Sequence, residues 1–274
     1  MQIDFSKKKI KIINDKYFTI FKVENFFDND IYEELKINYP VQHIPQTKNN
    51  KPHPKSGSID HHKVQNKYGI DYRPRIGTEE KYKFKKILKK NEILNEVDKL
   101  FNSNDFFDFF VKKLHFKVIN NQKQILKKIK YLRPPKKSIK LHNNSFFNNF
   151  NSMISLDYSY TSMKNNGFLR PHSDSPRKYI SLLMYFPDDN VDDIKYGTSF
   201  WKFNRGNYNN VPILDDSNYL KFKNESELIV RNEFKKNCFY GFIRSDFSWH
   251  SVEPINVNNS YIRKTLTVNF VYDN

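Results

Sequence analysis

Beyond residue 152 the sequence changes its period, and that change limits what the chain can fold into. Residues 153–160 alternate apolar with polar, and residues 179–186 form a continuous apolar run of the length of a buried strand. Residues 198–203, 238–243, 250–252 and 265–272 continue the series of short strand-forming segments. Many short strands in succession favour a sandwich or a barrel. The polar insertion at 204–236 is expected to fold over one end of it.

The first half carries a helical period instead. Residues 17–23 read as an opening strand. A helix starts near Asp28-Asn29-Asp30, where Asp or Asn can cap and acids suit the first turn, and it stops at Pro40. Phe84, Ile87 and Leu88 recur at i, i+3 and i+4 within 79–90, and Leu94 and Val97 mark a second helix over 91–102. Ser103 or Asn104 caps a third, which runs through Phe106, Phe107, Phe110, Val111 and Leu114. These stripes are read as core. Residues 41–78 show no period and are read as a long loop, of the kind that serves as a lid or binding loop. Their adjacent His61-His62 is read as solvated. Arg133-Pro134-Pro135 opens an asparagine-rich loop to about residue 152. Helices first and strands afterwards make the fold class α+β. One domain is expected over 1–274, with helical and loop-rich support over 1–152 and a β core over 153–274.

Charge and cysteine content narrow the function classes. The net charge is +17, and residues 109–140 hold eleven Lys or Arg and no Asp or Glu. Two readings apply: a solvated basic face, or a surface for an anionic partner. The single cysteine, Cys238, excludes an internal disulfide framework and fits a reducing cytoplasm. No window approaches 18 consecutive apolar residues, so no membrane-spanning helix is expected. Asp15 and Lys16 interrupt any apolar run after the N-terminal charges, so no secretory signal is expected either. The expected location is cytoplasmic.

Within the strand-rich half lies His172-Ser173-Asp174. On an extended strand, residues i and i+2 point to one face, so an imidazole and a carboxylate there could hold one cation. A third ligand is available downstream in Trp249-His250-Ser251. Two histidines and one carboxylate form the facial set that suits non-haem Fe(II) and leaves coordination positions open.

Four stretches then occur in order: Arg170-Pro171-His172-Ser173-Asp174, the strand Tyr179-Ile180-Ser181-Leu182-Leu183-Met184-Tyr185-Phe186, Tyr196-Gly197-Thr198-Ser199-Phe200, and Trp249-His250 followed by Arg263-Lys264-Thr265. Together they resemble the Fe(II)/2-oxoglutarate-dependent oxygenases, nearest in pattern to the prolyl-hydroxylase-like branch, over roughly 153–272. The resemblance implies a double-stranded β-helix core of jelly-roll or cupin type. It implies Fe(II) held by His172, Asp174 and His250, with 2-oxoglutarate and O₂ as co-substrates, and it admits ascorbate. It also makes Arg263 the arginine that binds the distal carboxylate of 2-oxoglutarate.

The residue chemistry agrees with that assignment. A guanidinium can clamp a carboxylate with two parallel hydrogen bonds, which lysine cannot do. Arg263, Thr265, Thr267 and Asn269 share one face of the last strand, and Lys264, Leu266, Val268 and Phe270 share the other. A polar face this continuous is costly to bury without partners but suits a pocket wall, so Thr265 is a candidate hydroxyl donor. Tyr158 or Tyr160, with Tyr160 preferred, is a candidate hydrogen-bonding partner of the co-substrate. Arg170 and Arg177 flank the metal motif and could meet an anionic substrate. Trp249 alternates away from His250 and is read as core, and Cys238 as a small apolar residue.

The function expected from the resemblance is hydroxylation of an unactivated C–H bond. Its substrate class is peptidyl or free proline, another amino acid, or another small metabolite. Related halogenases lack the carboxylate, so Asp174 favours hydroxylation. The alternative is a non-catalytic basic binding module for nucleic acid or another polyanion on the same fold. Residues 41–78 and 204–236 are the stretches expected to select substrate.

Overall fold

The computed structural model describes residues 1–44, 64–66, 69–71, 74–121, 136–137, 153–164, 167–188, 196–203, 216–255 and 261–272. Two strands, β1 (Lys11–Asn14) and β2 (Ile20–Glu24), precede helix α1 (Asn29–Ile37). Three short strands follow, β3 (Val64–Asn66), β4 (Gly69–Asp71) and β5 (Arg75–Gly77), then helices α2 (Lys81–Lys90), α3 (Glu92–Phe101) and α4 (Asn104–Asn121). After β6 (Lys136–Lys137) come β7 (Met153–Met163), β8 (Gly167–His172), β9 (Lys178–Phe186) and β10 (Ser199–Phe203). Helix α5 (Asp216–Glu225) leads into β11 (Ser226–Arg231), β12 (Cys238–Ile243), β13 (Trp249–Val252) and β14 (Arg263–Tyr272).

The pairing of the last eight strands is nested. β10 pairs β11, β9 pairs β12, β8 pairs β13 and β7 pairs β14, all antiparallel. This is a long ribbon folded back on itself and rolled into two sheets, a jelly-roll connection. One sheet runs β1-β2-β12-β9-β14-β7-β5 with β6 beside β7, and the other runs β11-β10-β13-β8-β4-β3. Rolling leaves the inner faces of the two sheets opposed, and side chains from both meet there. Met163, Leu183, Tyr185 and Tyr240 of the first sheet cluster with Val252 of the second, and Ile20 and Phe242 cluster with Phe200.

The outer face of the larger sheet is covered by helices. Leu266, Val268 and Phe270 of β14 share a core with the apolar stripes of α2, α3 and α4. Much of the aromatic content is spent here: Phe106 stacks on Phe270 with ring centroids 6.0 Å apart, and Phe101 meets Tyr158 edge-on at 5.1 Å. Helices α3 and α4 carry side-chain caps, whereas Asp28 at the start of α1 makes no side-chain cap hydrogen bond. Asn91 Oδ1 accepts from Leu94 N at 3.1 Å, and Ser103 Oγ accepts from Phe106 N at 3.1 Å, so Ser103 caps α4. Among the described residues no helix is long and apolar enough to cross a membrane.

The fold departs from the sequence expectations in several stretches. Residues 41–78 contain β3, β4 and β5, which read as loop because three-residue strands are too short to display alternation. Two of them exist through partners distant in sequence, β5 on β7 and β4 parallel to β8, while β3 pairs the adjacent β4. Strand β1 also went unread; among the described residues it is an edge strand that pairs only β2, and it exposes Lys11 and Ile12. Residues 204–236 do not form a mere cover, since β11 within them is the edge strand of the smaller sheet, and its half-exposed pattern hides the strand period. His61-His62 and residues 122–135 of the basic stretch lie outside the described residues.

A charge cluster ties the β1–β2 edge to the turn before β12. Glu24 accepts from Lys11 Nζ at 2.5 Å, Lys235 Nζ at 3.0 Å and Lys22 Nζ at 3.1 Å. The three ammonium groups, Lys11 foremost, push its carboxyl from 4.5 down to about 2. A carboxyl with a folded pKa below its unfolded one stabilises above the unfolded value and loses that contribution as pH falls toward the folded one. Glu24→Gln is therefore expected to lower the melting temperature at pH 7 by a few degrees at most, the site being partly open to solvent. The difference from the wild type should vanish as pH falls from 4.5 toward 2, and thermal melts across that range test it.

Candidate metal centre

His172 ends β8 and His250 lies on β13, directly opposite it in the antiparallel register. Directly opposed residues place their side chains on one face, and the two rings lie 4.2 Å apart between centroids. Asp174 follows two residues after the strand. One ligand atom from each of His172, Asp174 and His250 falls within 4.8 Å of the others, and all three side chains are buried.

The backbone sets which imidazole nitrogen is free. His172 Nδ1 lies 2.8 Å from Arg170 O, and His250 Nδ1 lies 3.0 Å from Ser248 O. A carbonyl only accepts, so Nδ1 is the donor in both rings and Nε2 is the nitrogen left for a ligand role. Burial, reinforced by neighbouring His172, pushes the His250 imidazole from 6.5 down to about 3, so it is neutral at ordinary pH. A buried, neutral imidazole with its proton fixed on the far nitrogen is in the form a metal ligand needs.

Asp174 is held by both oxygens. Lys178 Nζ donates to Oδ1 at 2.7 Å and Ser181 Oγ donates to Oδ2 at 2.9 Å, while Arg244 Nε donates to the Asp174 carbonyl at 3.0 Å. Burial opposes ionisation, but neighbouring positive charge, the Lys178 ammonium foremost, outweighs it and holds the carboxyl well below its ordinary range. The expectation that Asp174 shares an extended strand with His172 is not met. β8 stops at His172, and Asp174 reaches the same side from the loop, anchored by β9.

Asp174 and His250 line a small cavity between the sheets. Its other walls include Arg263, Thr265, Thr267 and Asn269, the face of β14 that alternation marks as polar. Arg263 is buried and rigid. Its Nε donates to Tyr196 O at 2.6 Å and its Nη1 to Thr265 Oγ1 at 2.7 Å, and its guanidinium lies over the rings of Tyr185 at 5.2 Å and Phe234 at 5.6 Å.

Tyr160 is placed elsewhere. It stands opposite Leu266 on β14, so its ring enters the helix-side core, where it meets Tyr39 and Phe84. β7 presents Thr161 and Met163 to the cavity instead. Tyr158 shares the Tyr160 face and donates to Asp98 on α3 at 2.5 Å. Trp249 packs with Trp201, Phe203 and Phe222. Cys238 is buried among apolar neighbours, and burial pushes its thiol up to about 11.

Lys178, Ser181 and Thr198 line the cavity without having been singled out from the sequence. A signal for Lys178 existed in its position four residues after Asp174. Its direction did not, because a bulge at the start of β9 shifts the partner of β14 from Ile180 to Lys178 and re-aims the side chain.

No family model matches the sequence, and no curated protein matches it significantly. Among solved structures the chain is similar to a prolyl 4-hydroxylase from Phytophthora capsici, at 12% identity over 95% of this chain and 60% of that one, with a TM-score of 0.44. It is similar to a Trichoplax adhaerens prolyl hydroxylase solved with a hypoxia-inducible-factor peptide, at 11% identity over 92% and 83% of the chains, with a TM-score of 0.41. It is also similar to the non-haem α-ketoglutarate-dependent epimerase SnoN, at 9% identity over 93% and 78%, with a TM-score of 0.39. The chain spans less than two thirds of the length of the Phytophthora chain.

Proposed function

We propose that the chain is an Fe(II)- and 2-oxoglutarate-dependent oxygenase on a double-stranded β-helix, of the prolyl-hydroxylase-like kind, which hydroxylates a C–H bond. The observation that carries this is the joining of two sets in one cavity. Three buried donors of facial type, His172, Asp174 and His250, converge, with Asp174 and His250 on one wall, and an immobilised guanidinium, Arg263, with the hydroxyl of Thr265 stands at another. The donor set fits ferrous iron: two imidazole nitrogens and one carboxylate oxygen leave positions for further ligands.

When bound, the iron and 2-oxoglutarate supply the oxidising chemistry. The chain's own contribution is placement. His172 and His250 present Nε2 because Arg170 O and Ser248 O retain the Nδ1 protons. Lys178 and Ser181 keep the Asp174 carboxylate ionised and turned inward. Arg263 offers a fixed cation to a carboxylate, and the apolar side chains of Leu169, Leu183 and Val252 limit water.

The chain incubated with Fe(II) and 2-oxoglutarate should form succinate, slowly without a substrate and faster with one. Prolyl and other amino-acid peptides are the first substrates to try. Absence of succinate under anaerobically loaded iron and subsequent oxygenation would sink the reading.

A further inference from the structure

One tyrosine hydroxyl is inserted into the β-ladder directly behind the arginine wall of the cavity. Tyr39, buried and just beyond α1, reaches the step where Thr265 of β14 faces Thr161 of β7. Thr265 N donates to Tyr39 Oη at 3.0 Å. Tyr39 Oη lies 2.7 Å from Thr161 O and 2.9 Å from Thr265 O, so its single proton goes to the nearer carbonyl, Thr161. Thr161 Oγ1 donates to Thr265 O at 3.0 Å. The ring is pinned edge-on by Tyr160 at 5.3 Å and by Phe186 at 5.0 Å.

This contact comes from the helical half of the chain, 226 positions away from Thr265. A hydroxyl bridging two strands holds them at a spacing that a direct ladder bond would close. The spacing matters because both threonine side chains line the cavity, and Thr265 Oγ1 accepts the Arg263 Nη1 hydrogen bond. Burial raises the Tyr39 phenol well above its ordinary range, so the bridging proton stays in place at any working pH.

We propose that Tyr39 is a positioning residue for the co-substrate end of the cavity: its hydroxyl fixes Thr265, and through Thr265 the Arg263 fork, where they receive a dicarboxylate. The proposal rests on the oxygenase reading above and adds to it a residue that touches neither metal nor co-substrate. Removing the hydroxyl leaves the buried Thr265 N–H without its acceptor, and the strands must shift to recover one.

The test is equilibrium binding of 2-oxoglutarate to the Co(II)-loaded full chain by titration calorimetry, which needs no turnover. Tyr39→Phe should weaken 2-oxoglutarate binding about tenfold, the cost of one net hydrogen bond, and leave Co(II) affinity unchanged. Tyr158→Phe, which also loses a buried hydroxyl on β7 but one directed at Asp98, should bind 2-oxoglutarate as the wild type does. Phe186→Leu, which removes one of the rings that pin Tyr39 and lies off the cavity wall, should move binding in the Tyr39→Phe direction and serves if Tyr39→Phe does not fold. Wild-type binding by Tyr39→Phe, or equal weakening by Tyr158→Phe, would overturn the proposal. Failure of the oxygenase reading looks different: the wild type itself would take up no Co(II), or His172→Ala would take up as much.

Discussion

Asp174→Asn is expected to reduce 2-oxoglutarate-dependent succinate formation by at least about a hundredfold, more than the loss of a supporting partner costs at a metal site. The substitution keeps the side-chain volume and exchanges an anionic oxygen for an amide. Two consequences coincide. The candidate metal set loses its only charged ligand, and the Lys178 ammonium, largely buried at the cavity wall, loses its counter-ion. The second effect threatens folding as well as binding, because a buried cation deprived of its partner is costly. Lys178→Met combined with Asp174→Asn separates the two. The double variant should recover the melting temperature and still fail to bind Co(II) or form succinate. Wild-type turnover by Asp174→Asn would show that the carboxylate is not a ligand.

Arg263→Lys is expected to raise the KM for 2-oxoglutarate by about a hundredfold, the cost of truncating a buried, hydrogen-bonded charge, with a much smaller change in kcat. Lysine keeps the positive charge, so a purely electrostatic role would be largely retained. What it cannot keep is the fork. Nε and Nη1 of the Arg263 guanidinium are already committed to Tyr196 O and Thr265 Oγ1, and the aromatic rings of Tyr185 and Phe234 fix its plane. An ammonium on a flexible stem has none of these restraints. Steady-state kinetics with 2-oxoglutarate varied at saturating Fe(II) check the split. An unchanged KM would place the co-substrate elsewhere.

The β14 wall and Tyr160 show how far local pattern carries an inference. Alternation alone put Arg263, Thr265, Thr267 and Asn269 on one face, and those four line the cavity, because the period of a strand is a property of its own backbone. Tyr160 needed one more fact, the register of β7 against β14. With Tyr160 opposite Leu266 and Thr161 opposite Thr265, the cavity-facing residue is the threonine. A shift of one residue exchanges the two faces, and nothing within β7 states the register.

The metal set illustrates the same division. His172 and Asp174 are close in sequence and were readable as a pair, although the reason is a loop anchored by Ser181 and Lys178 and not a shared strand. His250 joins them only because β13 lies antiparallel to β8, a pairing across 78 residues that the nested jelly-roll connection enforces.

The sequence by itself determined the periods, the caps, the core stripes and the candidate chemistry, since these depend on neighbours within a turn or two of chain. Only the tertiary structure decided which faces meet: that β3 to β5 exist, that Lys178 turns toward Asp174, and that Tyr39 reaches through the sheet to Thr265. Such contacts form when strands far apart in the chain satisfy one another's backbone groups, and that pairing is a property of the whole fold.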